Sequence, residues 1–543
     1  MHVPKRTRRL FLAVSLLTLA VYLFSARGVP MTIDEVIVYE TTSSLASGHS
    51  NFKTALTSKF PNLTVKRSRG RRAGIYGIGT SVVGAPLYLI GKGVAQISPP
   101  AKRAQILLTA TMFTNSIVAA ATVFMLMLVC MLLRAPPFGA VLVGLSYGIG
   151  SYAFPHALTL FTEPGTAMCL IAAVFFAIRA SRRGARSDLL ACGAWAGAAN
   201  LFRVSAVLFL PVLGLWLLLA AWRANDLDAG ATSRMRRMFA FGAWFTVGAA
   251  GPVLLLLVVN WWRYGSAANF GYGLGSATSQ SYPIVRGVMG QWLSSGKSVF
   301  FFAPIAIIVL CGLGRSLKKA PMEMLLLGSL VIVNTLFFAR VQFWSGDAAW
   351  GPRYMQIVVP CLAAMAAPLM DGRGWRRALV AVSVLGLFFA ALPAVLVRYT
   401  IIFFAARQVV HVPFNRAGNW DHSYLALIWH TLHWQQILYQ VRLLPKAFVN
   451  SVRHVTSPRG PAQVTHAPDA RVEFWWLRAR DLGSTAVLFF TLFSVAAFAA
   501  GVRLLSRYFR TAPTIDAPPD STGLSGALIA SELPVSAAHE GAL

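Results

Sequence analysis

Long apolar stretches recur along this chain, and each is about the length that a helix needs to cross a bilayer, roughly 20 residues. Lipid cannot satisfy the polar groups of an open backbone, so such stretches cross as helices. The pattern therefore predicts an all-α polytopic membrane protein. The predicted spans are residues 10–26, 75–97, 104–133, 154–178, 189–203, 204–222, 238–262, 297–313, 322–339, 354–370, 378–398 and 485–503.

Residues 138–153 are apolar but short, and they contain the glycines Gly139, Gly144, Gly148 and Gly150. Counting this segment as a full span would put the following basic cluster on the wrong side of the membrane. A half-span or re-entrant segment, buried against protein, fits better. We therefore expect a bundle of about 12–13 transmembrane helices with loops on the outer face.

Composition agrees with a membrane protein, because the chain is 56% hydrophobic and only 12% charged, with a mean hydropathy of +0.60. The net charge of +31 lies mainly in short loops between apolar stretches. That distribution is typical of cytoplasmic loops and argues against a nucleic-acid partner. The basic clusters are residues 5–9, 179–186, 234–237, 315–319 and 373–377.

With these clusters inside, both chain ends are cytoplasmic and the chain divides into four parts. Residues 1–398 form a transmembrane catalytic module, with 27–74 as its first outer loop. Residues 399–484 form an outer-face extramembrane or interfacial segment, rich in Trp, His and Arg. Residues 485–510 hold the final helix and its basic end, and 511–543 form a Pro-, Ser- and Ala-rich tail that we expect to be disordered.

An acidic pair, Asp34 and Glu35, follows the first span closely among apolar neighbours. A carboxylate held at the membrane surface can act as a general base for an acceptor hydroxyl or amine. The alternative is structural, with Thr32 or Asp34 beginning a short helix through Glu40. The local sequence does not decide between the two.

The first outer loop ends in a basic run from Lys66 to Arg72 that violates the positive-inside rule. An anionic ligand, such as a lipid phosphate, would explain cations on the outer face, and Arg71 and Arg72 are the candidates. The alternatives are that long loops cross regardless of charge, or that these side chains contact lipid headgroups nonspecifically.

Two further charges, Glu163 and Arg203, lie at the outer ends of apolar stretches, and His156 precedes Glu163 by about two helical turns. Ionisable groups at such depth are costly and commonly face a polar site. Alternatively, Arg203 extends to the interface, and Glu163 stabilises a helix N-terminus ahead of Pro164.

A short outer loop brings together Asp347, Trp350 and Arg353, and Tyr354 follows. An aromatic side chain beside charged hydrogen-bonding groups is a common arrangement for binding a sugar. An ordinary Gly-Pro turn with an interfacial Trp is the alternative.

Metal-binding signals are weak. His430 and His433 could share one helix face, but no third ligand is apparent, and the cysteines form no CxxC pair. We therefore predict no metal site and no required cofactor, with a divalent metal left open.

Taken in order, these residues resemble the GT-C glycosyltransferases, in particular the bacterial protein O-mannosyltransferases and the lipid A aminoarabinose transferases. The Lys-Pro-Pro pattern of the aminoarabinose enzymes is absent here, and Arg72-Ala73-Gly74 lies nearby instead. The motifs that carry the resemblance are Asp34-Glu35, Tyr76–Gly79 with Pro86–Tyr88, Thr162–Pro164, Asn260–Ser266 with Phe270–Tyr272, Ser295–Lys297 and Trp350–Tyr354.

The resemblance implies a polyprenyl-phosphate-linked sugar donor and an active site on the outer face. It implies catalytic roles for Asp34, Glu35 and Glu163. The donor phosphate would be bound by Arg71, Arg72, Arg203 and Arg353, and substrate by Tyr76, His156, Lys297, Asp347, Trp350 and Tyr354.

The predicted function is thus transfer of a sugar to a lipid, glycan or protein acceptor at the bacterial cytoplasmic (inner) membrane, as part of cell-envelope chemistry. The alternative is a transporter or flippase for a lipid-linked or anionic substrate, which would use the same charges along its pathway. Inverted-repeat symmetry would favour that alternative, and the sequence shows none.

Overall fold

The computed structural model describes residues 4–49, 63–66, 72–224, 231–272, 280–294, 297–346, 349–396 and 474–510. Most of the predicted outer segment 399–484 and the whole tail 511–543 lie outside the described residues. So do the candidate residues Arg71 and Asp347, and the histidines His430 and His433.

The described part of the chain is almost entirely helical, with one two-stranded sheet. In that sheet, β1 (Thr64–Lys66) pairs antiparallel with β2 (Arg72–Gly74). Its helices are α1 (Lys5–Ser25), α2 (Ile33–Ala46), α3 (Gly79–Gln96), α4 (Arg103–Met112), α5 (Thr114–Leu132), α6 (Pro137–Gly148), α7 (Ala153–Ala157), α8 (Glu163–Arg183), α9 (Arg186–Phe202), α10 (Phe209–Arg223), α11 (Ala231–Tyr264), α12 (Ile284–Leu293), α13 (Val299–Phe302), α14 (Ile305–Lys319), α15 (Pro321–Ala339), α16 (Val359–Ala364), α17 (Arg373–Gly386), α18 (Leu392–Leu396), α19 (Ala479–Leu482) and α20 (Ser484–Arg510).

Eight helical segments of the described chain are long and apolar enough to cross a membrane, and each matches a predicted span. Three of the other four predicted spans coincide with shorter helices, namely α3, α9 and the segment around α16. The span predicted at 297–313 covers α13 and only part of α14, which begins at Ile305. The predicted fold class, an all-α polytopic membrane protein, is confirmed. The eight segments are Lys5–Ser25, Pro100–Leu132, Glu163–Arg183, Val204–Arg223, Ala231–Tyr264, Pro321–Ala339, Arg373–Leu396 and Ser484–Arg510.

The span predicted at 154–178 differs from the structure, because the long helix α8 begins only at Glu163. Pro164 in its first turn has no N–H to continue a helix from the preceding residues. The carbonyls freed by this break are bound by polar side chains of α5. Asn115 donates to Phe161 O at 2.8 Å, and Ser116 donates to Ala157 O at 3.0 Å. The break leaves Glu163 at a helix start deep inside protein.

Helix α6, in the segment predicted as a half-span, has only 12 residues and is largely buried. At 1.5 Å per residue it is about 18 Å long, which is too short to cross a bilayer alone. The Tyr22 hydroxyl donates to Gly148 O at 2.6 Å, so α1 covers the end of α6.

The basic clusters come together at one face of the bundle. The Arg6 guanidinium lies 4.6 Å from the ring centre of Tyr508, which joins the start of α1 to the end of α20. Arg182, at the end of α8, lies 2.6 Å from Glu323 at the start of α15. Glu163 is at the other end of α8, about 30 Å away along 21 residues. The predicted catalytic residues and the basic clusters therefore lie at opposite faces.

Helix α8 is buried near the centre of the bundle, whereas α11 exposes apolar side chains such as Leu254 and Val258 to its surroundings. Small residues on α9 allow its backbone to approach that of α11, because a Cβ at Gly193 would lie 2.0 Å from Phe245 O. Close packing at small residues is typical of membrane helices.

The segment before α20 packs against the end of α1. Trp475 donates from its backbone to Ala26 O and from its indole to Leu23 O, at 2.9 and 2.8 Å. Trp475 is therefore buried in protein contacts, and Trp476 bonds Phe24 O at 3.0 Å beside it.

Candidate active site

Glu163 binds two arginines through one carboxylate oxygen. Its Oε1 accepts hydrogen bonds from Arg203 Nη1 at 2.7 Å and from Arg353 Nε at 2.8 Å. The Glu163 side chain is fully buried, and the two guanidinium groups are nearly so. A buried charge is tolerated when it is paired in this way, so the three side chains form one unit.

Asp34 completes the cluster from α2. Its Oδ2 lies 2.6 Å from Arg353 Nη1, although the two residues are 319 positions apart in the chain. The Asp34 side chain keeps 19% of its surface exposed, against 0% for Glu163. Asp34 lies in the first turn of α2, as the structural alternative expected, but its side chain binds Arg353. Of the two carboxylates, Asp34 is the accessible one.

Aromatic rings support both guanidinium groups. Arg353 lies 3.8 Å from the ring centre of Phe161, and Arg203 lies 4.6 Å from that of Tyr354. Tyr354 is itself stacked on Phe338, with ring centres 4.5 Å apart. These cation–π contacts fix the planes of the two cations while Glu163 fixes their positions.

Three of the predicted substrate-binding residues hold the loop that carries Arg353. The Lys297 ammonium donates to Ala349 O, and His156 Nε2 lies 2.9 Å from Trp350 O. The Trp350 indole donates to Ala390 O at 2.6 Å. All three side chains are buried, and each binds a backbone carbonyl oxygen. Their direct contact with substrate stays a prediction.

A turn at Gly351 sets the backbone direction of the loop that carries Arg353. Gly351 has a φ of +66°, which favours glycine, and a Cβ there would lie 3.0 Å from the Phe302 ring. The Tyr152 hydroxyl donates to Pro352 O at 3.2 Å and fixes the residue before Arg353.

Arg263 lies in the Asn260–Ser266 motif but was not predicted as a site residue, and it binds the backbone of the segment that carries Tyr76. Its guanidinium donates to Tyr76 O at 2.9 Å and to Gly74 O at 2.7 Å, and Tyr264 also donates to Gly74 O. The Tyr76 side chain in turn interacts with Asp34. A signal was present, because an arginine ending a long apolar helix is as costly as Arg203.

Phe161 and Tyr272 were also not predicted as site residues. Phe161 lies under Arg353, and Tyr272 lies close enough to Arg203 for electrostatic interaction. The signal for Phe161 was its place two residues before Glu163, at the break that begins α8.

The remaining candidates lie apart from the arginine–carboxylate contacts. The Arg72 guanidinium donates to the Thr64 hydroxyl across the small sheet. Glu35 faces the protein interior, where Thr32 donates to its Oε1 at 3.2 Å. Burial raises the pKa of Glu35 from 4.5 to about 8. The adjacent acids Asp34 and Glu35 therefore differ, since one faces the arginines and the other the core.

Two polar atoms of the cluster, Glu163 Oε2 and Arg203 Nε, are buried without a hydrogen-bond partner among the described residues. Buried polar atoms are rarely left in this state, so a phosphate oxygen could accept from Arg203 Nε, and a ligand hydroxyl could donate to Glu163 Oε2. No group of three His, Cys, Asp or Glu side chains that could hold a metal occurs in the described part of the chain.

No protein-family model and no curated protein sequence matches the chain. The structure is similar to the S. cerevisiae protein O-mannosyltransferase Pmt1–Pmt2 complex bound to the sugar donor. That similarity has 13% identity and a TM-score of 0.37, and it covers 54% of this chain but only 37% of that one. The structure is also similar to ArnT from Cupriavidus metallidurans, bound to undecaprenyl phosphate or in the apo state. The identity is 16% in both, the TM-scores are 0.46 and 0.44, and 92% of this chain and 77% of ArnT are covered.

Proposed function

We propose that this chain is a membrane glycosyltransferase that moves a sugar from a polyprenyl-phosphate donor to a lipid, glycan or protein acceptor. The supporting observation is the cluster of Asp34, Glu163, Arg203 and Arg353, which joins four separate parts of the chain. The cluster lies at the face opposite the basic clusters, so the proposal includes an active site on the non-cytoplasmic side of the bacterial inner membrane.

The two arginines suit the donor phosphate. Guanidinium groups match phosphate geometry and stay charged when buried. They would stabilise the negative charge that develops on the leaving polyprenyl phosphate as its bond to the anomeric carbon breaks. The donor class itself comes from the sequence resemblance, and the paired arginines are consistent with it.

Asp34 is the proposed base. A donor phosphate would compete with Asp34 for the Arg353 guanidinium, and the carboxylate so released could accept a proton from the acceptor. The acceptor oxygen or nitrogen then forms the new bond to the anomeric carbon while polyprenyl phosphate leaves. This single displacement needs no nucleotide and no covalent enzyme intermediate.

Glu163 is better suited to position the arginines than to accept a proton. Its Oε1 is already bound by two guanidinium groups, and its side chain is closed to the surroundings. Its predicted catalytic role would then be indirect, through Arg203 and Arg353.

The proposal is tested by transfer of radiolabelled sugar from a panel of polyprenyl-phosphate sugars in membranes that contain the native chain. Asp34→Asn is compared with Glu40→Gln, an acid-to-amide change on the same helix outside the cluster. We expect transfer by the native chain and by Glu40→Gln, and a loss of about 10²–10⁴-fold in Asp34→Asn. Release of polyprenyl phosphate should fall in parallel.

Equal transfer by both variants would remove Asp34 from the reaction. An absence of transfer from every donor by the native chain would overturn the glycosyltransferase proposal.

A further inference from the structure

A cavity opens at the face that carries the basic clusters, about 30 Å from Glu163 along α8. Its volume is about 540 Å³, within the usual range for ligand pockets, roughly 300–1,000 Å³. It is built by α1, α5, α8 and α9. It shares no residue with the candidate active site and requires a separate explanation.

One wall of this cavity is an apolar strip on α5. Phe124, Leu128 and Leu132 follow one another at intervals of four residues, which places them on one helix face. Eight residues of helix extend about 12 Å from the rim toward the middle of the membrane. Phe176 and Trp195 face the same space from α8 and α9. The part of the cavity nearer the middle of the membrane is therefore an apolar slot that runs along the helices.

Three arginines line the cavity, Arg8 from α1 with Arg179 and Arg183 from α8. Arg8 and Arg183 are exposed. The Arg179 guanidinium lies 5.3 Å from the ring centre of Phe175 and 3.0 Å from the carboxylate of Asp188. These contacts hold Arg179 against the wall of the cavity.

We propose that this cavity binds an anionic phospholipid of the adjacent leaflet, with its phosphate at the arginines and the upper part of an acyl chain in the slot. Guanidinium groups match phosphate geometry, and basic pockets between membrane helices suit anionic headgroups. A zwitterionic lipid would gain less from the arginines, and free phosphate could not use the apolar wall. Charge and shape together favour one occupant. The inference does not depend on the proposed sugar transfer.

Native mass spectrometry of the purified full chain, titrated with phosphatidylglycerol or phosphatidylcholine of the same acyl chains, tests this site. The variant Arg8→Gln/Arg183→Gln removes two charges at the cavity. Its control, Arg9→Gln/Arg377→Gln, removes two exposed charges from the same basic face outside the cavity. We expect a tightly retained phosphatidylglycerol on the native chain, about tenfold weaker binding by the cavity variant, and no change in the control.

A second variant tests the slot without changing charge. Met125→Trp places a large side chain into the cavity from α5, and it should also weaken phosphatidylglycerol retention. Inorganic phosphate at millimolar concentration should not displace the lipid.

Equal retention of the two lipids, equal loss in the control variant, or displacement by phosphate would each overturn the proposal. Displacement by phosphate would reduce the site to a general anion site. Thermal unfolding of each variant shows whether any loss reflects misfolding.

Discussion

Arg353 Nη1 lies 2.6 Å from Asp34 Oδ2, while Nε of the same guanidinium donates to Glu163 at 2.8 Å. The two carboxylates are not equivalent partners. Glu163 is fully buried and also binds Arg203, whereas Asp34 is partly exposed and pairs with Arg353. An incoming anion would therefore displace Asp34 and leave Glu163 in place. The exchange of one anion for another at Arg353 would couple donor binding to release of the base.

Arg353→Lys should reduce transfer by about 10²-fold or more while the protein still folds. Lysine keeps the charge but cannot donate to two carboxylates from the fixed positions of a guanidinium fork. The control is Arg340→Lys, an exposed arginine that contacts Gln280 O at 2.9 Å. Initial rates over a range of donor concentrations would check the expectation, with the loss in kcat/KM for the donor. Native-like kcat/KM in Arg353→Lys would exclude a specific role for the guanidinium.

Glu163→Gln should lower both stability and transfer. The amide keeps the shape but leaves two buried guanidinium groups without their shared anion, and breaking such a pair costs about 3–5 kcal/mol. Asp188→Asn serves as the control, because Asp188 is also buried and pairs with Arg179 at the opposite face. Thermal unfolding in detergent and transfer in membranes would be measured for both. The expected result is lower stability in both variants but loss of transfer only in Glu163→Gln, and retained transfer there would contradict the positioning role.

Much of the helical arrangement could be predicted, because apolar stretches of membrane-crossing length leave the backbone little choice but a helix. The main difference lay at 154–178, where a span was expected to begin nine residues before α8 does. The residues ahead of α8 are apolar, so hydropathy does not reveal that the helix is interrupted there. The carbonyl groups freed by the interruption are bound by Asn115 and Ser116 of another helix. That break also determines the depth at which Glu163 lies.

The site was predictable residue by residue but not as an arrangement. Glu163 and Arg203 were identifiable as charges in costly places. Asp34 stood out as an acid at the membrane surface, and Arg353 as a charge close to a tryptophan in a short outer loop. Which acid pairs with which arginine depends on contacts across 40, 190 and 319 residues, and local sequence carries no information on them. Lys297 shows the same limit, since the resemblance implied a role in substrate binding but not that its ammonium binds the Ala349 carbonyl.

Glu35→Gln should remove a pH dependence of stability. Burial raises the pKa of Glu35 from 4.5 to about 8, so the folded chain binds a proton more tightly than the unfolded chain. The free energy of unfolding should then fall as pH rises from about 4.5 to about 8, because the buried carboxyl resists ionisation. In Glu35→Gln this contribution is absent. Unfolding in detergent at several pH values should show the variant gaining stability relative to the native chain across that window. A constant difference between the two would contradict the prediction.

Tyr354→Leu should reduce transfer by about tenfold, and Tyr354→Phe should not. Arg203 lies 4.6 Å from the Tyr354 ring centre, and a desolvated cation–π contact is worth about 1–2 kcal/mol, where 1.4 kcal/mol is a factor of ten. Phenylalanine keeps both this contact and the stacking on Phe338, whereas leucine removes the ring and frees the plane of Arg203. Transfer rates for the two variants, measured at matched expression, separate the ring from the hydroxyl. A larger loss in Tyr354→Phe than in Tyr354→Leu would show that the hydroxyl matters and that the ring does not.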